Sequence, residues 1–329
     1  MTTGGLADAV VLEGVTKRFE GLKAVDALDL RIPRGTTCGF IGPSGAGKTT
    51  AIRLILSILL PDAGRLSVLG HDDAMQAKDR IGYLPEERGV YRKMRVDAFL
   101  QYMARLKGIA PEVARERALR LLGQVGLADS ASRRCEDLSK GMLQRVQFVA
   151  AIVHEPELLI LDEPFSGLDP VSVQMLRGLI VEQQLRGATI LFSTHVMANA
   201  EALCDHVVMI HKGRKVLDEP MSTLRRQYDL RRLHVEPLSA DADLSALAGV
   251  EGVESIRPTA EGCELLLVSG AAPADVMQRV AACVPPARLE IARIRLEDVF
   301  IGLVTQEGGA ESLHALRSHL QGQAQGGVA

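Results

Sequence analysis

The 329-residue chain contains no tryptophan, and aromatic residues make up only 3% of it. Surfaces that stack single-stranded nucleic acids need several aromatic side chains, so this composition disfavours such a function. The net charge of −3 is small and gives no electrostatic basis for binding nucleic acid either. We therefore expect no nucleic-acid partner.

The five cysteines are few and widely spaced, and none forms a C-x-x-C pair. This spacing predicts neither a disulfide framework nor a zinc site, and it favours buried thiols in a reducing compartment. The N-terminus lacks the basic and apolar segments of a signal peptide. No apolar run approaches the roughly 18 residues needed to cross a bilayer. The chain is predicted to be soluble by itself, which leaves a membrane-embedded partner open.

Hydrophobic residues make up 47% of the sequence, enough for a sizeable core, and the length favours two domains. Up to about residue 222, strand-like and helix-like segments alternate, which predicts an α/β fold with a mostly parallel sheet. Predicted strands cover 9–16, 25–32, 37–41, 64–70, 81–84, 157–161, 188–193 and 206–211. Predicted helices cover 50–60, 96–107, 112–124, 140–154, 171–186 and 196–204.

Beyond residue 222 the pattern changes to short strands around one helix, which predicts a small α+β domain over 223–303. Its strands are predicted at 231–236, 253–257, 263–268 and 288–295, and its helix at 273–282. The tail, 304–329, is rich in Gly, Gln, Ser and Ala. We predict that it is largely disordered, apart from one short helical segment at 311–320.

The octapeptide GPSGAGKT at 42–49 has the spacing G-x-x-x-x-G-K-T of a phosphate-binding loop. An apolar strand precedes it and a helical pattern follows, which is the context that this motif needs. An ordinary glycine-rich turn is the alternative, and three glycines followed by Lys-Thr disfavour it. Lys48 can reach the β- and γ-phosphates, and the Thr49 hydroxyl can bind Mg²⁺. The predicted phosphate-binding residues, which the family resemblance given below implies are ATP-binding, are Gly42, Pro43, Ser44, Gly45, Ala46, Gly47, Lys48, Thr49 and Thr50.

A second motif is LLILDEP at 158–164, an apolar strand that ends in two carboxylates. Asp162 is placed to bind Mg²⁺, and Glu163 is placed to act as general base on an attacking water. A solvated acidic turn is the alternative, and it explains one carboxylate better than two. The sequence thus predicts the phosphates of a nucleotide and Mg²⁺ as ligands of one site, and the resemblance described below specifies ATP.

Further motifs follow in a characteristic order. LSKGM at 138–142 precedes Gln144 and Arg145, SGLD occupies 166–169, and FSTH ends at His195. Together with the phosphate loop and the acidic pair, these motifs resemble the ATP-binding subunit of an ATP-binding-cassette (ABC) transporter. The resemblance covers 10–222 and implies a P-loop NTPase cassette with an antiparallel β subdomain and a helical insert at about 86–155.

The resemblance also implies partners and residue roles. Two cassettes, as a homodimer or heterodimer, would pack head to tail with ATP at the interface, and an integral membrane permease would bind them. Ser139 and Gly141 would contact the γ-phosphate held by the opposite cassette, and Asp169 would communicate across the interface. His195 would link the γ-phosphate to Glu163, and Phe19 would stack on adenine.

Three positions depart from the family pattern. Lys140 and Met142 replace a glycine and a glutamine of the signature, and Glu86 replaces a glutamine that contacts Mg²⁺. A carboxylate is still a hard oxygen ligand, so we expect Glu86 to keep the metal role. The run GYLPEERGVY and the later LEDVFI resemble a bacterial sodium and drug exporter branch. Basic and aromatic residues of 88–107 are expected to dock on the permease, with an ordinary solvated face as the alternative.

These inferences predict an ATPase that powers export, held peripherally at the inner face of the cell membrane. The alternative is a non-transport ABC ATPase acting in translation, DNA repair or iron–sulfur assembly. A single phosphate loop disfavours a translation factor of this type, and the lack of a heptad insert between 60 and 138 disfavours a repair ATPase. The intact Lys48, Asp162, Glu163 and His195 disfavour an inactive regulatory module.

Overall fold

The computed structural model describes residues 8–87, 89–228, 232–239, 241–268, 270–291 and 295–308. These residues form two compact units. The first contains the chain up to Asp218 and the described residues from Phe300 onward, and the second is Glu219–Val299. The division after Asp218 lies close to the predicted end of the cassette at residue 222.

A six-stranded, mostly parallel sheet organises the first unit, with strand order β5-β6-β7-β3-β8-β9. Its strands are β3 (Thr37–Ile41), β5 (Ile81–Leu84), β6 (Leu158–Asp162), β7 (Thr189–Thr194), β8 (His206–His211) and β9 (Arg214–Pro220). The first five strands in this order, from β5 to β8, pair in parallel with their neighbours. Strands β3, β6 and β7 are buried at every position, which is why they form continuous apolar runs. The predicted α/β class is confirmed.

Helices connect these strands. They are α1 (Lys48–Ile55), α2 (Val96–Leu106), α3 (Pro111–Gln124), α4 (Lys140–Ile152), α5 (Pro170–Leu185) and α6 (Met197–Leu203). A 3₁₀ segment, Ala74–Arg80, precedes β5. The break between α2 and α3 follows from the sequence. Gly108 adopts a φ of +80° just beyond α2, and Pro111 occupies the first position of α3, where its missing N–H has no cost.

A three-stranded antiparallel sheet, of order β2-β1-β4, is also part of the first unit. It contains β1 (Asp8–Phe19), β2 (Leu22–Pro33) and β4 (Ala63–Val68). Glu20 and Gly21 join β1 to β2, and both have positive φ, as a two-residue hairpin turn with matching twist requires. Strand β1 therefore extends beyond the predicted 9–16 and continues through Phe19, which pairs with Leu22.

The second unit contains a four-stranded antiparallel sheet of order β11-β12-β10-β13. Its elements are α7 (Met221–Tyr228), β10 (Arg232–Pro237), a 3₁₀ segment (Leu244–Gly249), β11 (Val253–Pro258), β12 (Cys263–Leu267), α8 (Pro273–Cys283) and β13 (Pro286–Ile291). Alternate residues of β10 and β12 pack with Val276 and Val280 of α8 in one core. This strand order is that of a split β-α-β unit, with the 3₁₀ segment in place of the first helix. It is the α+β arrangement that the sequence predicts.

The final described helix, α9 (Leu296–Gly308), was not predicted. It begins among residues of the second unit and ends among those of the first, where the buried Phe300 packs edge-on against His211 with ring centroids 5.9 Å apart. The helical segment predicted at 311–320 lies outside the described residues. Within the described part of the chain, no helix is long and apolar enough to cross a membrane.

Candidate active site

The predicted site segments follow four parallel strands. The phosphate loop follows β3, Glu86 follows β5, Asp162 and Glu163 end β6, and His195 follows β7. Because these strands run in parallel, their carboxyl ends share one edge of the sheet. Ligands of open α/β sheets bind at that edge. The topology therefore brings together residues that are far apart in sequence.

Close packing explains two glycines of the phosphate loop. A Cβ atom at Gly47 would lie 2.3 Å from the backbone oxygen of Ala24, and the φ of Gly47 is +105°. A Cβ atom at Gly42 would lie 2.3 Å from the backbone oxygen of Ile210. Only glycine fits where one backbone approaches another this closely.

Neighbouring backbone supports the rest of the loop. The Ala46 N–H donates to the Pro43 oxygen at 3.2 Å, and the Ala46 oxygen accepts from the Gly213 N–H at 2.9 Å. Ser44 and Gly45 are exposed at the tip. Thr49 and Thr50 lie in the first turn of α1 and are partly buried. The loop therefore presents its tip to solvent while its base is fixed to the turn after β8.

Lys48 is folded back onto the loop and is only 7% exposed. Its ammonium donates to the Gly42 oxygen at 2.8 Å and the Pro43 oxygen at 3.1 Å, and it lies 3.9 Å from the Glu163 carboxylate. Burial lowers the pKa of Lys48, and the nearby carboxylates oppose that shift. A phosphate group would therefore meet a cation that is already partly desolvated.

Asp162 is fully buried at the end of β6. Burial raises its pKa, while the neighbouring Ser193 and Thr49 hydroxyls act in the opposite direction. The Ser193 hydroxyl donates to Asp162 Oδ1. The other oxygen, Oδ2, is buried and has no hydrogen-bond partner among the described residues. A buried oxygen without a partner beside the Thr49 hydroxyl fits a hard cation such as Mg²⁺.

Glu86 adds a third carboxylate to this edge. Partial burial raises its pKa first, and the charges of Asp162 and Glu163 raise it further. Lys48 and His195 lower it. In the described ranges, no three His, Cys, Asp or Glu side chains form a group that could hold a metal ion. A Mg²⁺ ion here would therefore need oxygen ligands from phosphate or water, as Mg²⁺ sites in phosphoryl-transfer proteins have.

Glu163 is held between β6 and β7. Its N–H points at the Ser193 oxygen at 3.2 Å, and its Oε1 lies 2.8 Å from Nδ1 of His195. This hydrogen bond to Glu163 raises the pKa of His195, and burial partly opposes the shift. The pair joins a carboxylate to an imidazole, and the same Oε1 atom lies 3.9 Å from the Lys48 ammonium.

The backbone of Glu163 has a φ of +50°, which is left-handed. For a residue with a Cβ this conformation costs about 1–2 kcal/mol. Such strain persists where the surrounding structure fixes the residue, and it is common at functional sites. The carboxylate of this residue lies 2.8 Å from His195 Nδ1 and 3.9 Å from the Lys48 ammonium.

The remaining predicted site residues lie on other elements. Ser139 is the N-cap of α4 and its hydroxyl accepts from the Met142 N–H at 3.3 Å, with Gly141 in the same first turn. Asp169 caps α5 and accepts from the Ser172 N–H at 2.9 Å and its hydroxyl at 2.6 Å. Phe19 ends β1 with 44% of its surface exposed. The structure shows capping roles for Ser139 and Asp169, and their roles across an interface stay predictions.

The sequence reasoning missed Ser193. This residue joins the two carboxylates, because its hydroxyl donates to Asp162 and its main-chain oxygen receives the Glu163 N–H. Its signal was its place two residues before His195, at the end of an apolar strand. A hydroxyl there faces the neighbouring strand end at the same level.

Comparison with known proteins shows the family to which this chain belongs. The family model described as ABC transporter matches residues 25–166. An ABC transporter ATP-binding protein of Bacillus subtilis, YhaQ, is 38% identical over 296 residues, which cover 89% of this chain and 97% of that protein. The chain belongs to the family of ABC transporter ATP-binding proteins. As a member of this ABC family it binds and hydrolyses ATP.

Two further relatives and one solved structure are also similar to this ABC protein. The ATP-binding protein NatA of Bacillus subtilis is 36% identical, over 70% of this chain and 98% of NatA. The daunorubicin/doxorubicin resistance protein DrrA of Streptomyces peucetius is 36% identical, over 77% of this chain and 79% of DrrA. A solved ATP-binding subunit of an ABC transporter has a TM-score of 0.62 and 31% identity, covering 67% of this chain and 93% of its own.

Proposed function

We propose that this ABC protein is the ATPase subunit of an exporter and that it powers an integral membrane permease. The support for export is the similarity to DrrA, which is named for drug resistance, and to NatA. The alternative of an ABC ATPase outside transport loses weight, because these relatives are named as transporter or drug-resistance ATP-binding proteins. In this proposal the chain acts from the cytoplasmic face of the membrane, where ATP is available.

The observation that carries the catalytic part of the proposal is the contact of Glu163 with His195 beside Lys48. Glu163 would accept the proton of the attacking water as general base. Lys48 would neutralise charge on the transferred phosphoryl group, and His195 would hold the γ-phosphate against Glu163. Thr49, Asp162 and Glu86 would hold Mg²⁺. When bound, this ion would neutralise charge between the β- and γ-phosphates.

Adenine and the partner cassette would complete the site. Phe19, exposed at the end of β1, would stack on the base. Ser139 and Gly141 would bind the γ-phosphate held by a second cassette, because the N-terminus of α4 offers N–H groups and partial positive charge. Asp169, at the N-cap of α5, would connect this interface to the acidic pair.

The helical insert offers a surface for the permease. The rings of Tyr91 and Phe99 lie 6.3 Å apart, and those of Tyr91 and Tyr102 lie 5.5 Å apart. Tyr91 is 55% exposed, so this aromatic cluster is open to a partner. Amphipathic aromatic side chains are enriched at interfaces. We infer that a cytoplasmic segment of the permease contacts this cluster.

The test is the variant Glu163→Gln, which keeps the shape of the side chain and removes the base. We expect it to bind Mg-ATP, to release phosphate at least about 100-fold more slowly, and to accumulate as a closed dimer. Light scattering after size-exclusion chromatography measures the dimer, and a phosphate-release assay measures turnover. Glu157→Gln is the matched control, since Glu157 precedes the opposite end of β6 and pairs with Arg80. Unchanged turnover in Glu163→Gln would remove Glu163 as the base.

A further inference from the structure

A lysine covers part of the Phe19 ring. The Lys17 ammonium lies over the ring, 5.8 Å from its centroid. The two residues are two positions apart on β1, so their side chains leave the strand on the same face. With 44% of Phe19 exposed, the ring still has surface for a second planar group.

Two acceptors beyond α1 fix the position of that ammonium. Lys17 donates to the Leu60 oxygen and to Asp62 Oδ1, each at 2.8 Å, and its side chain is only 16% exposed. Asp62 also accepts from the Arg18 N–H at 2.7 Å and donates its own N–H to the Thr16 oxygen at 2.9 Å. We call Lys17, Leu60 and Asp62 the clasp, because they tie the end of β1 to the turn after α1.

The clasp joins the two ends of the nucleotide site. Helix α1 begins at Lys48 of the phosphate loop, and the Ile58 and Leu59 N–H groups bond to the Arg53 oxygen at its last turn. The hairpin that carries Phe19 is also held on its other strand, where Ala24 contacts Gly47. The hairpin that carries Phe19 is therefore connected to the phosphate loop and its helix through two separate contacts.

We propose that Lys17 is a positioning residue for the base of the nucleotide: anchored by Leu60 and Asp62, its ammonium occupies one face of the Phe19 ring and leaves the other face for adenine. The inference rests on the stacking role of Phe19 in the proposed function. A cation beside an aromatic face is attracted to it, which limits how far the ring can rotate. Through the Phe19 ring, Lys17 affects binding of the base, while the phosphate loop binds the phosphates.

The test compares Mg-ATP with magnesium tripolyphosphate, an inorganic probe without a base, by titration calorimetry on the full chain. We expect Lys17→Met to weaken ATP binding about threefold to fivefold and to change tripolyphosphate binding less than about twofold. Lys17→Arg should keep near-normal ATP affinity, since arginine also stacks on aromatic rings. Asp62→Asn should act in the same direction as Lys17→Met, because it loosens the ammonium. Lys23→Met is the matched control. Lys23 belongs to the same hairpin, but its ammonium pairs with Asp26 Oδ1 at a distance of 2.7 Å and takes no part in the contact with the ring.

The effect must also depend on Phe19. In a Phe19→Ala background, Lys17→Met should cause no further loss of ATP affinity. The proposal is overturned if Lys17→Met leaves ATP binding unchanged, weakens both probes equally, or adds to Phe19→Ala. Retained tripolyphosphate binding shows that a variant is folded. If the unmodified chain fails to bind Mg-ATP, or if Phe19→Ala leaves its affinity unchanged, the stacking role in the proposed function fails first.

Discussion

Glu86 is one of the three residues that depart from the pattern of the ABC family. Its carboxylate faces those of Asp162 and Glu163 at the same edge, with Lys48 and His195 as the nearby counter-charges. We expect Glu86→Ala to raise the Mg²⁺ concentration needed for half-maximal ATP turnover and to lower the turnover rate. Turnover measured across a Mg²⁺ titration checks this, with Glu86→Gln as the variant that restores the usual family residue. If Glu86→Ala changes neither quantity, the metal role is withdrawn.

His154 makes stability depend on pH. It is buried between α4 and β5, where Nε2 donates to the Ile81 oxygen at 3.2 Å, and burial lowers its pKa to about 4. Between its usual pKa of 6.5 and this value, the unfolded chain binds a proton that the folded chain does not. Above about pH 6.5 this group therefore does not lower the free energy of unfolding. As the pH falls from 6.5 toward 4, the free energy of unfolding decreases, because only the unfolded chain binds the proton.

We expect His154 to cost the folded state about 2 kcal/mol between pH 7.5 and pH 5. Urea unfolding of the wild type and of His154→Gln at both pH values measures this loss. Glutamine keeps a donor for the Ile81 oxygen and carries no titrating proton. The stability of His154→Gln should therefore fall by about 2 kcal/mol less than that of the wild type between the two pH values. Equal losses in the two proteins would show that His154 does not carry the pH dependence.

At the scale of elements, the phosphate loop depends on the strand that packs beside it. Gly47→Ala would place a methyl group 2.3 Å from the Ala24 oxygen, in a backbone conformation that alanine rarely adopts. We expect it to lower stability by at least about 2 kcal/mol and to abolish measurable ATP binding. Gly45→Ala is the control, because its φ is +76° but no atom lies within 4 Å of the added carbon.

The two glycine variants separate strain from collision. Gly45→Ala should cost about 1 kcal/mol through its backbone conformation alone. Thermal unfolding and ATP titration of the two proteins give the comparison. Similar losses of ATP binding in both would mean that the Ala24 contact is not what shapes the loop.

The sequence predicted the parallel sheet and the placement of its site residues because both follow from local patterns. Strand Leu158–Asp162, for example, is an apolar run up to Asp162, and the predicted site residues lie at the ends of such strands. Strand β9, Arg214–Pro220, was missed because it is only half buried and reads as a charged segment. The Lys17–Asp62 pair was missed for another reason. Its partners are 45 residues apart, and no local pattern specifies such a contact.

At the scale of the whole molecule, the chain leaves the first unit after Asp218 and returns to it at Phe300. Phe300 is fully buried and packs on His211, the last residue of β8. This neighbour directly precedes the turn whose Gly213 supports Ala46 of the phosphate loop. Cutting the chain after Asp218 would therefore remove a core side chain as well as the second unit.

We expect Phe300→Ala to lower the stability of the first unit by about 3–5 kcal/mol, the usual effect of emptying a buried phenylalanine site. Calorimetry of the full chain, with and without Mg-ATP, identifies the affected transition as the one that the nucleotide stabilises. Leu185→Ala is the control. Leu185 is the last residue of α5 and is 85% exposed, so this change should alter stability little. A loss confined to a transition insensitive to the nucleotide would contradict this assignment of Phe300.

The left-handed backbone at Glu163 has a consequence for any effort to make this protein more heat-resistant by directed evolution. Glycine at that position would relax the chain, so a screen that scores only survival on heating favours replacing the side chain that we propose as the general base. Each round of selection would therefore have to include an assay of ATPase activity, or it would enrich variants that are stable and inactive.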